Sequence, residues 1–116
     1  MDKILRKTAK YEKAIIVLLN EFADFWRTSR GIKNQVVIDK DNHVYLLNIF
    51  GWQNGEFYVH TIAFHIQIIE GKVWIHQNNT EAMIADELIE KGVAKEDIVL
   101  GFLHEMDRPY SGFATA

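Results

Sequence analysis

Apolar residues recur at three- and four-residue steps through the first quarter of the chain: Ile4, Thr8, Tyr11, Ile15, Leu18, Leu19, Phe22 and Trp26 fall in one stripe. Lys, Glu and Asn fill the other side, so the spacing predicts an amphipathic helix over Lys3 to Trp26, roughly 36 Å long. Arg27-Thr28-Ser29-Arg30-Gly31 ends it, with Gly31 suited to a terminating turn. The period then changes from 3.6 to 2. Gln35–Asp39, His43–Trp52, Phe57–Ile69 and Lys72–Asn78 read as four strands, separated by Lys40-Asp41-Asn42, Asn54-Gly55 and Glu70-Gly71. Thr80 is placed to cap a second helix, Glu81–Lys91, with Ile84, Ala85, Leu88 and Ile89 as its stripe and Gly92 after it. Ile98–Phe102 reads as one more short strand before an irregular tail. The fold class is therefore α+β: a four-stranded antiparallel meander with the long N-terminal helix and the second helix on one face, and a short C-terminal strand or extended tail.

Taking Asn54-Gly55 and Glu70-Gly71 as two-residue loops fixes a register. Leu47 then faces Ile62, Ile49 faces His60, Ile66 faces Ile75 and His65 faces His76. Alternation assigns Tyr45, Leu47, Ile49, Tyr58, His60, Ile62, Phe64, Ile66, Ile68, Val73 and Ile75 to the helix-covered face. The opposite face receives Val44, Leu46, Asn48, Phe50, Trp52, Phe57, Val59, Thr61, Ala63, His65, Gln67, Trp74, His76 and Asn78. So large an apolar area calls for a cover. Phe102, Tyr110 and Phe113 of the tail are available for part of it; otherwise it is a binding surface, since interfaces favour Trp, Tyr and Phe.

Composition narrows the chemistry. The 116 residues form one domain, 1–116, and hold no cysteine, so a disulfide framework, a thiolate zinc site and a thiol nucleophile are excluded. An intracellular, cytoplasmic setting fits: Lys3, Arg6, Lys7, Lys10 and Lys13 interrupt every candidate signal core, and no apolar run approaches the roughly 20 residues a membrane span requires. Net charge is −3, with eight basic against four acidic side chains in residues 1–33 and three against eight in residues 81–116. An acidic chain with one weakly basic end is a poor DNA binder; if it binds DNA at all, Lys3, Arg6, Lys7, Lys10, Arg27 and Arg30 are the candidates. His65 and His76 supply two potential metal ligands, the basis of an alternative reading as a metal-dependent hydrolase or nuclease subunit, but no third ligand falls beside them. His60 reads as a hydrogen-bonded buried histidine. Lys91, Lys95, Glu87, Glu90, Glu96 and Asp97 read as an ordinary charged helix end and turn. No phosphate loop, metalloprotease motif or nucleophile elbow is present, so no catalytic residue and no cofactor is expected.

Several segments together resemble the XisI family, the fdxN element excision controlling factor proteins of cyanobacteria. They are Leu46-Leu47-Asn48-Ile49-Phe50-Gly51-Trp52, the run from His65 through Ile75, Asn79-Thr80-Glu81, Ala85-Asp86-Glu87-Leu88, the run from Gly92 through Phe102, and Tyr110-Ser111-Gly112-Phe113-Ala114. The resemblance spans nearly the whole chain in order. It implies a non-enzymatic factor acting with a companion protein, XisH, and a site-specific recombinase that removes a DNA element during heterocyst differentiation. It supplies no catalytic residues. The expectation is a partner protein, or a homo-oligomer, whose contacts lie on Phe50, Trp52, Phe57, His65, Trp74 and His76.

Overall fold

The helical stripe folds as read. In the computed structural model, which describes residues 2–25 and 31–116, helix α1 runs Lys3–Phe25. Ile15, Leu18 and Leu19 are wholly buried and Tyr11 and Ala14 nearly so; Ile4, at the open end of the stripe, stays exposed. Trp26, Arg27 and Arg30 lie outside the described residues. Five strands follow: β1 (Ile32–Asp39), β2 (Val44–Gln53), β3 (Phe57–Ile69), β4 (Lys72–Asn78) and, after helix α2 (Ile84–Glu90), β5 (Ile98–Leu100). They lie in the order β1-β2-β3-β4-β5. The expected four-stranded antiparallel sheet is thus a five-stranded mixed one, because α2 serves as a crossover and β5 pairs parallel to β4. Two residues fewer than expected pair at the end of this strand, since the chain turns at Gly101.

Register departs from the two-residue-loop count in an instructive way. Gln53 pairs with Phe57, so the first hairpin turns through three residues, Asn54, Gly55 and Glu56. That slips the pairing by one, and Ile49 faces Thr61 instead of His60. A bulge at Ala63 then adds a second slip, so Leu47 faces Phe64. Two slips restore parity beyond the bulge and invert it between the bulge and the turn. Tyr58, His60 and Ile62, expected in the core, therefore stand on the open face, while Phe57, Val59 and Thr61 join the helix side. His60 is exposed, not a buried histidine. The β3–β4 hairpin keeps its expected pairing of Ile66 with Ile75, but a bulge at His76 puts Gln77 opposite His65 and moves Asn78 to the side of Phe64.

Asn78 uses that position to shape the approach to α2. Its Oδ1 accepts from the Thr80 N–H (3.0 Å) and hydroxyl (2.7 Å), and its amide donates to Ala82 O at 2.8 Å. Thr80 in turn accepts from the Ala82 N–H at 3.0 Å. Thr80 is committed to this turn, so α2 starts at Ile84 and not at Glu81, with no side-chain cap on Met83.

Both helices cover one face, as expected. Tyr45, Leu47, Phe64, Ile66, Val73 and Ile75 from the sheet meet α1, together with Ile84 and Leu88 from α2 and Ile98 from β5. The core also holds a charge. Asp97 is 5% exposed, so it is not part of a solvated turn; the Tyr11 hydroxyl donates to it at 2.5 Å and the Lys7 ammonium sits 3.0 Å from the same oxygen. Burial pushes the Asp97 carboxyl up, but the hydrogen bonds from Tyr11 and Lys7 and then the Lys7 charge outweigh it and hold the group below its ordinary range. Burial and that carboxylate raise the Tyr11 phenol to about 12. A second tyrosine, Tyr45, donates to Glu12 at 2.6 Å and ties β2 to α1.

Candidate functional site

The face turned away from the helices carries Val37 from β1, Leu46, Phe50 and Trp52 from β2, Tyr58, His60, Ile62, His65 and Gln67 from β3, and Trp74 and His76 from β4. Its aromatics gather at two ends. Near the first hairpin, Trp52 and Tyr58 are cross-strand partners in edge-to-face contact, ring centroids 5.4 Å apart, and each is 56% exposed. From Tyr58 to His65 is seven residues along β3, roughly 23 Å at strand rise. Between the two ends Val37, Leu46, Asn48, His60, Ile62 and Gln77 line a shallow depression of about 460 Å³.

At the far end the bulge at His76 brings its ring to 4.8 Å from that of His65 although the two residues are not paired. Trp74 stacks on His76 at 6.0 Å and 26°. His76 Nε2 lies 3.0 Å from Gln67 Oε1; the amide oxygen accepts, which places the imidazole proton on Nε2. Burial lowers both histidines, and His65 lowers His76 further, so both rings are neutral at neutral pH. Gly101 packs beneath: a Cβ there would lie 3.0 Å from Trp74 Cε3 and 3.1 Å from His76 Nδ1, so any larger residue would force the stack to shift by a few tenths of an ångström.

The tail covers this end, by a residue the alternation pattern does not single out. Arg108 holds its guanidinium 5.1 Å from the Trp74 ring and anchors itself by donating to Leu103 O at 3.1 Å. Ala114 bridges to Val99 and donates to Ile98 O at 2.8 Å, which seals the outer edge of β5. The aromatics expected to cover the sheet do otherwise. Phe113 packs on the helix side, Tyr110 is 89% exposed and Phe102 is also exposed.

Of the six expected contact residues, His65, Trp74 and His76 form one cluster, Phe50 and Trp52 lie toward the other end, and Phe57 is on the opposite side of the sheet. Tyr58 occupies the place expected for Phe57, a consequence of the three-residue turn. Among the described residues no group of three or more His, Asp or Glu side chains converges to hold a metal. On α1, Lys3, Arg6 and Lys10 are exposed, whereas Lys7 is committed to Asp97. No described helix is long and apolar enough to cross a membrane.

The family model described as XisI protein matches residues 1–115. The chain belongs to the XisI family. A XisI-like protein from Anabaena variabilis has a similar structure, with a TM-score of 0.87 and 31% identity over 94% of this chain and 99% of that one. The fdxN element excision controlling factor XisI from the same organism is also similar, with a TM-score of 0.80 and 31% identity over 95% of this chain and 99% of that one. A comparison with curated protein sequences finds no match.

Proposed function

We propose that this XisI-family chain is a non-enzymatic control factor in programmed excision of a DNA element, and that it works by holding a protein partner on the open face of its sheet. The observation that carries this reading is that face itself, on which Trp52 and Tyr58 are each more than half exposed beside Val37, Phe50 and Ile62. An apolar, aromatic-rich area of this extent on a sheet that already has its helices on the other side is what interfaces are made of. A structural relative, the fdxN element excision controlling factor XisI from Anabaena variabilis, supplies the biological setting. The partner we infer is an XisH-like companion protein, through which the chain reaches a site-specific recombinase in the cytoplasm.

Trp52→Lys and Tyr58→Lys test this, because both side chains are exposed enough to change without disturbing the core. Each is expected to weaken capture of the XisH-like protein by about 30-fold, as loss of an aromatic anchor does, with circular dichroism and thermal unfolding unaltered. Unchanged capture by both folded variants overturns the assignment.

A further inference from the structure

The two edges of the sheet are treated differently. β5 is sealed by the tail, whereas β1 has only β2 beside it, so among the described residues no segment pairs with its outer edge. β1 is eight residues long, pairs with β2 in one unbroken register, and contains no proline, the single Pro109 being in the tail. Sheets ordinarily blunt such an edge with shortness, bulges, proline or charge. The charges present here are Lys33 and Asp39, near its two ends and on the same side of the sheet, as their partners Phe50 and Val44 show.

From this we infer that β1 is a self-recognition edge, pairing antiparallel with β1 of a second copy of this chain about a two-fold axis through Val36. The register follows from geometry. Alternate residues of an edge strand point their N–H and C=O outward, and antiparallel pairing matches outward residues only with outward residues. Two copies of one strand therefore pair only where the two residue numbers have an even sum. Of the central even registers, the one on Gln35 sets Lys33 against Val37, and the one on Val37 sets Asp39 against Gln35. The register on Val36 sets Lys33 against Asp39 twice, once on each side of the axis, with Asn34 opposite Ile38 and Gln35 opposite Val37. The lysine that discourages an arbitrary incoming strand thus meets a carboxylate on both sides of the axis when the partner is an identical strand. Ile38 and Val37, each 38% exposed, gain neighbours in the same pairing. Because the axis stands normal to the sheet, the two helical layers fall on one side and the two open faces join on the other.

The mass in solution, measured by light scattering over a concentration series, tests this. The wild-type protein is expected at twice 13.5 kDa. Lys33→Glu sets Glu against Asp39 on both sides of the axis and is expected to weaken the dimer about tenfold; adding Asp39→Asn, whose Oδ1 can still accept from the Asp41 and Asn42 N–H groups as the Asp39 carboxylate does, restores most of it. Since the chain has no cysteine, Val36→Cys is expected to oxidise to a linked dimer, while Gln35→Cys, displaced from the axis, links far more slowly. Trp52→Lys leaves the dimer intact, which separates this edge from the partner face. A wild-type protein monomeric throughout the series overturns the inference. So does a dimer indifferent to Lys33→Glu and not linked through Val36→Cys.

Discussion

Replacing Tyr11 with phenylalanine removes one oxygen from the core and should be costly for a reason unrelated to packing. The hydroxyl donates to Asp97 Oδ2 at 2.5 Å and accepts from the Ala94 N–H at 3.4 Å, with Tyr11 only 3% exposed and Asp97 5%. A hydrogen bond to a charged group is worth about 1.5–3 kcal/mol. Loss of a buried ion's sole partner would cost about 3–5 kcal/mol, but Lys7 remains 3.0 Å from the same oxygen, so the upper range is not reached. The rise of the phenol to about 12 has burial as its largest cause and the Asp97 hydrogen bond second, so it sets the direction of the pH dependence and not the size of the loss. The hydrogen-bond range puts the loss at about 2 kcal/mol, or about 1 M in urea midpoint for a chain of this size. The signs are fixed. Asp97 sits below its ordinary value in the folded protein, so its contribution is present above 3.8 and fades as pH falls further. Tyr11 sits above its ordinary value, so its contribution is complete below 10.0 and fades as pH rises toward about 12. The gap between wild type and Tyr11→Phe in urea titrations should therefore be widest between these limits and close at both. A midpoint shift below about 0.3 M, or a gap constant from acid to alkali, would refute this account of the pair.

Two further outcomes concern the cluster around Trp74. Gly101→Ala forces a methyl to within 3.0 Å of the Trp74 ring and should cost about 1–3 kcal/mol, read as a lower thermal midpoint together with altered tryptophan emission. Burial lowers His65 and His76 in the folded state, so their contribution to stability is present above 6.5 and is lost as pH falls below it. Urea midpoints of the wild type should thus decline between neutrality and mild acid more than those of His65→Gln/His76→Gln, and parallel declines would show that these rings do not titrate as described.

Much of the architecture is legible in the chain because it rests on periods that a long segment repeats many times. The α1 stripe, the strand positions and the common side taken by both helices all follow from such repetition. Side-chain facing between residues 57 and 62 does not, because it depends on one added residue in a turn. Asn54-Gly55 suits a two-residue loop, yet Glu56 joins it, and period-2 alternation then transfers the error to Phe57, Tyr58, His60 and Ile62 until the Ala63 bulge cancels it. The bulge at His76 likewise leaves no mark on the apolar pattern. His65 and His76 meet nonetheless, since a bulged residue leans toward its neighbours. Asp97 reads as part of an ordinary charged turn because its burial comes from Tyr11, 86 positions away, and Arg108 reaches Trp74 from a tail without periodicity. Three paired residues in β5 are too few for any period to declare.

The Ala114 bridge over β5 has a consequence for growth. A sheet sticky on both flanks would add subunit after subunit into a fibre, whereas one closed flank makes association a terminating event. On the β1 pairing proposed above, the Ala114 bridge would act as a stopper, and removing it would be expected to turn a finite assembly into an open-ended one, read as continued growth in light scattering.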